Sequence, residues 1–87
     1  MKKLDEVMVL GVIINNNLMG GYYLNVTNEK MEILFRLESV KDYADYVRAN
    51  RSYIDATIWF ISEDVNQNII DLVHKEANSY PDLLLVL

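Results

Sequence analysis

Val7-Met8-Val9-Leu10-Gly11-Val12-Ile13-Ile14 and Ile54-Asp55-Ala56-Thr57-Ile58-Trp59-Phe60-Ile61 decide the fold of this chain. The first stretch carries no charge and the second a single Asp. Short apolar runs rich in Val and Ile mark strands buried on both faces. Each run leads through a polar loop into a segment with helical character. Strands that alternate with helices imply parallel pairing, because parallel neighbours need a long crossover. In such a sheet a site lies at the carboxyl ends of the strands.

Working outward, Asn15–Asn17 reads as a loop and Leu18–Leu24 as a short helix or helical turn. Met31–Leu37 is a second strand, with Met31, Ile33, Phe35 and Leu37 alternating with Glu32 and Arg36. Such alternation leaves one face wetter, as at a sheet edge. Val40–Asn50 is a helix with Val40, Ala44 and Val47 on one face and Tyr43 beside them. Ser39 is its N-cap, Asp42 completes a short capping box, and Lys41 pairs with Asp45 one turn on. Ile54–Ile61 is the third strand. Ser62 caps a long helix from Glu63 to about Asn78, with Glu63 and Asp64 in the first turn and Val65, Ile69, Leu72 and Val73 as its stripe. Glu76 falls within that stripe without a local reason. Pro81 ends the segment and Leu83–Leu87 is the last strand. The expected architecture is one α/β domain over residues 1–87. It has a four-stranded parallel sheet in the order 2-1-3-4 and helices on both faces, a three-layer arrangement of Rossmann or receiver type.

Bulk composition narrows the function. The 87 residues bound a single domain, and 52% apolar content supplies a core with apolar surface left over for a partner. There is no Cys, so neither disulfides nor thiolate chemistry apply. Net charge is −5 and the 8 basic residues are scattered, which argues against nucleic acid and against anionic lipid. A membrane span needs about 20 apolar residues, and no such stretch occurs. Met1-Lys2-Lys3 imitates the start of a signal peptide, but Asp5 and Glu6 precede a stretch that reads better as a strand. Asn25-Val26-Thr27 matches a glycosylation acceptor by chance.

No catalytic constellation emerges. Gly20-Gly21 has neither the Lys of a P-loop nor the spacing of a dinucleotide fingerprint. Two adjacent glycines serve either close approach of a partner or a turn against the chain's own sheet. A phosphoacceptor receiver needs acids where Asn15, Asn16 and Ser62 stand. His74, three residues after Asp71, is a surface residue and not a metal centre. Ser62 lacks a base nearby in sequence, and Glu63 with Asp64 is explained by helix electrostatics. Tyr22 and Tyr23 are adjacent and cannot both face inward, and tyrosine is enriched at interfaces. The interface candidates are therefore Asn15, Asn16, Asn17, Tyr22, Tyr23, Glu63 and Asp64, with no cofactor and no metal.

Three segments resemble the N-terminal domain of the small central-stalk subunit, termed F, of V-type and A-type rotary ATPases. Leu10-Gly11-Val12-Ile13-Ile14-Asn15-Asn16-Asn17-Leu18-Met19-Gly20-Gly21-Tyr22-Tyr23-Leu24 runs without a gap along a family opening of the form I-A-V-I-G-D-x-D-T-V-x-G-F-x-L-A-G. Ala56–Val65, followed by Ile69, is similar to the family's I-A-I-I-L-I-T-E-x-I-A-x-x-I. Tyr80-Pro81 before Asp82 and Leu83–Val86 is similar to its last strand. The family's acidic turn is Asn15–Asn17 here, its Ala-Gly is Asn25-Val26, and its C-terminal helical tail has no counterpart before Leu87. The resemblance implies a non-catalytic rotor subunit of the central stalk. Such a subunit binds the coiled-coil shaft, sits at the cytoplasmic side of a membrane, and helps couple ATP hydrolysis to proton or sodium transport. The alternative is a small acidic stand-alone binding module, an inhibitor or adaptor.

Overall fold

A computed structural model describes residues 8–80 and 85–86. The elements run β1 (Met8–Asn16), β2 (Tyr22–Thr27), β3 (Ile33–Leu37), α1 (Val40–Ala49), a 3₁₀ turn (Arg51–Tyr53), β4 (Ile54–Ile61), α2 (Gln67–Ala77) and β5 (Leu85–Val86). They form a mixed α/β fold whose sheet has the order β3-β2-β1-β4, with the two-residue β5 beside β4. The remainder of the expected Leu83–Leu87 strand, and Val7, lie outside the described residues.

The all-parallel sheet of order 2-1-3-4 is corrected. Tyr22–Thr27, expected to start within a helix, is a strand that pairs antiparallel with β1 and with β3. It stands between the two strands expected to touch. Only β1–β4 and β4–β5 are parallel. The cause is local. Tyr22, Leu24 and Val26 alternate with Tyr23, Asn25 and Thr27, a strand pattern of aromatic and β-branched residues. The five residues before them form a turn that returns the chain beside β1.

Helices on both faces are likewise corrected to helices on one face. Val40, Tyr43, Ala44 and Val47 of α1 and Val73 and Ala77 of α2 share one core with Leu10, Val12, Ile14, Leu24 and Val26. Tyr43 stands edge-on to Trp59 at 5.4 Å, and Phe35 meets Tyr46 at 4.9 Å. Both crossovers, β1 to β4 and β4 to β5, step the same way across the sheet. Right-handed crossovers in one direction deposit their helices on the same side. No reversal of direction occurs between these crossovers, so β1 and β4 do not flank a switch-point crevice.

Helix α1 has its expected cap, the Ser39 Oγ accepting from the Asp42 N–H at 3.1 Å, and Lys41 meets Asp45 at 3.1 Å. Helix α2 starts later than expected. Asn66, not Ser62, is its N-cap, with Oδ1 accepting from the Ile69 N–H at 3.1 Å. The Ser62 N–H is held instead by the Ile14 carbonyl at 3.0 Å, which ties Ser62 to β1.

Candidate functional site

The carboxyl end of β1 is a built turn. The Asn17 Oδ1 accepts from the Met19 N–H at 2.9 Å, its carbonyl accepts from Gly20 at 3.0 Å, and its N–H reaches the Gly21 carbonyl at 3.1 Å. Gly20 and Gly21 have φ of +94° and +84°, the left-handed region that glycine enters without a Cβ penalty. Here the glycines serve the turn of a hairpin. Leu18 and Met19 at its tip are 102% and 92% exposed.

The seven candidate residues do not form one site. The Asn15 Nδ2 donates to the Ile13 carbonyl at 3.0 Å, and the Asn16 Nδ2 to the Asp64 carbonyl, tying the hairpin base to the turn after β4. Glu63 and Asp64 lie exposed in that turn and not in a helix, with the Ser62 Oγ donating to Asp64 at 2.9 Å. Tyr22 is buried rather than displayed. Its hydroxyl donates to the Glu76 carboxylate and accepts from the Val40 N–H at 2.9 Å. Burial and the neighbouring carboxylate raise its pKa well above the usual value for tyrosine. This bond also accounts for Glu76 within an apolar stripe. Tyr23 points to the other side of the sheet, beneath the Arg36 guanidinium at 3.9 Å.

That other side is the surface sequence reasoning missed. β1 presents Val9, Gly11, Ile13 and Asn15 there, opposite Ala56, Ile58 and Phe60 of β4 in the parallel register. No helix among the described residues covers it. Ile58 and Phe60 are each 38% exposed, and Val9 and Ile13 are half-buried. A hollow of about 90 Å³ opens at its lower end, lined by Val9, Gly11, Met31, Ile58, Phe60 and Glu29 among others. Gly11 is needed there: a Cβ would stand 2.3 Å from the Thr27 Oγ1. The sequence signal was the largely apolar character of β4, which reads as two covered faces, whereas helices among the described residues cover one.

His74 is exposed and Asp71 accepts from Gln67 at 2.8 Å. No group of three or more His, Cys, Asp or Glu able to hold a metal occurs among the described residues. The acceptor-like Asn25-Val26-Thr27 lies in a central strand, with Thr27 fully buried. No helix among the described residues is long and apolar enough to cross a membrane. Comparison with known protein families, curated proteins and solved structures finds no match.

Proposed function

We propose that this chain is a non-catalytic protein-binding domain whose partner lays an amphipathic helix across the open face of the sheet. The observation that carries the reading is the exposure of Ile58 and Phe60, 38% each, on a face flanked by Val9 and Ile13. Parallel strand pairs are stable with helices against both faces. This chain supplies helices for one, and the partner supplies the second layer. The net charge of −5 favours a segment whose apolar stripe is bordered by Lys and Arg.

The resemblance to the rotary-ATPase stalk subunit gives the narrower form of the same reading. Its partner is the coiled-coil shaft of a V-type or A-type rotary ATPase, an assembly of amphipathic helices. The domain then turns with the shaft and helps couple ATP turnover to proton or sodium transport. What speaks for the broader form is that the first matching segment continues here as a hairpin, so the open face, not a turn–helix motif, carries the binding.

The test is a titration of isotope-labelled protein with a basic amphipathic helical peptide and, separately, with a purified rotary-ATPase shaft. Resonances of Ile13, Ile58 and Phe60 should move while those of His74 and Leu72 stay. Perturbation confined to the helical side, or none with either ligand at millimolar concentration, overturns the reading. Response to the peptide without response to the shaft removes the stalk assignment alone.

A further inference from the structure

Two apolar features of this chain lie at opposite ends of one hairpin, and neither is filled or covered by the described residues. At the carboxyl end of β1 the tip projects Leu18 and Met19, 102% and 92% exposed. The Asn17 side chain and two left-handed glycines hold the backbone of that tip in shape, so the main chain has little freedom left to lose on docking. At the amino end, on the open face, lies the 90 Å³ hollow between Val9, Gly11, Met31, Ile58 and Phe60. Gly11 lies in its wall, where a Cβ would meet the Thr27 Oγ1 at 2.3 Å.

We propose that the Leu18–Met19 tip of one copy seats in the hollow of a second copy. Size and polarity match: the hollow has room for about one aliphatic side chain, and its walls are almost wholly apolar. Charge permits it. Residues 7–28 contain no charged side chain, although the chain as a whole carries −5. The tip therefore approaches an acidic neighbour without bringing a like charge to the contact. Among the described residues, Glu29 is the only charge lining the hollow.

Tip and hollow are different patches, so the contact is head-to-tail, and it propagates as an open chain unless the rotation closes a ring. The general repulsion between acidic copies keeps the association weak at low salt, and added salt screens it. This inference rests on the proposed binding face to the extent that the hollow lies within it. A seated tip and a partner helix exclude one another, and self-association holds the face closed until a partner displaces the tip.

The test uses sedimentation velocity on the whole chain, from dilute to millimolar protein, at low and moderate salt. Wild type should associate with rising concentration and more strongly with salt. Leu18→Asp, at a fully exposed position, should weaken association by about tenfold or more. Phe60→Asp should do the same, and Ile58→Lys serves in its place if circular dichroism shows that variant unfolded. A mixture of the Leu18 and Phe60 variants should give one-to-one dimers and nothing larger, since one retains the hollow and the other the tip. A wild type that stays monomeric at millimolar concentration, a Leu18 variant that associates like wild type, or a mixture without heterodimers overturns the inference. The Leu18 variant should still bind the basic helical peptide, so loss of self-association is separable from failure of the binding-face reading.

Discussion

The Tyr22 hydroxyl joins the two helices through a strand: it donates to Glu76 on α2 and accepts the Val40 N–H at the start of α1, at 2.9 Å. The first amides of a helix have no partner within it, so this phenol satisfies a donor that would otherwise be buried unpaired. Tyr22→Phe keeps the ring and removes both bonds. It should destabilise the domain by ~1–3 kcal/mol. Urea unfolding followed by circular dichroism measures the loss, and an unchanged midpoint would show the bridge to be idle.

Alkali should unfold this domain in a predictable way. Tyr22 and Tyr43 are both raised above the ordinary 10.0, Tyr43 to about 12, chiefly because burial disfavours the phenolate. The folded state thus holds both protons more tightly than the unfolded chain. Their contribution is complete below pH 10 and is lost as pH rises through the folded-state values. Each tyrosine removes up to about 1.4 kcal/mol per pH unit in that window. Urea midpoints measured from pH 8 to pH 12 should fall steeply above about pH 10, and Tyr22→Phe should halve the slope.

Met31 holds φ at +65° in the turn between β2 and β3, where the Asn28 Oδ1 accepts from Lys30 at 2.9 Å and Glu32 at 3.0 Å. A left-handed L-residue is strained by ~1–2 kcal/mol, partly offset by the greater freedom glycine has when unfolded. Met31→Gly should therefore raise stability by about 0.5 kcal/mol. A lower thermal midpoint would mean that the Met31 side chain contributes more by covering the sheet than its backbone loses.

Gly11 and Thr27 are coupled across β1 and β2. A Cβ on residue 11 would meet the Thr27 Oγ1 at 2.3 Å, and that oxygen is buried without a hydrogen-bond partner. Gly11→Ala should be destabilising by ~1–3 kcal/mol through overpacking. In the double variant with Thr27→Ala, which clears the obstruction, the combined effect should be less than the sum of the singles. Additive effects in a double-mutant cycle would show that the clash is relieved elsewhere.

Much of the fold was legible because its signals were local. Val40, Ala44 and Val47 share a face, Ser39 and Asp42 mark the helix start, and α1 forms as the spacing requires. β4 spans the expected Ile54–Ile61. What escaped was the hairpin. Leu18 and Met19 between Asn17 and Gly20 read as the first turn of a helix, whereas the deciding clue was period-2 alternation from Tyr22 to Thr27. The helix start at Ser62 failed because two caps competed, and the bond to Ile14 holds Ser62 just past the end of β4. The binding surface was hidden by a topological fact that no window of sequence contains. Two crossovers that advance in one direction leave one side of the sheet without a helix among the described residues.

The meander β1-β2-β3 pairs only neighbours in sequence, while β4 must travel back past all three to reach β1. During synthesis the three-stranded ribbon can close its ladder early, since local contacts form fastest. Until α1 and α2 emerge from the ribosome, the face of that ribbon carrying Leu10, Val12, Ile14, Leu24 and Val26 has no cover. A nascent chain stalled just after Leu37 is therefore the form most prone to misassemble, and the form a chaperone would meet first.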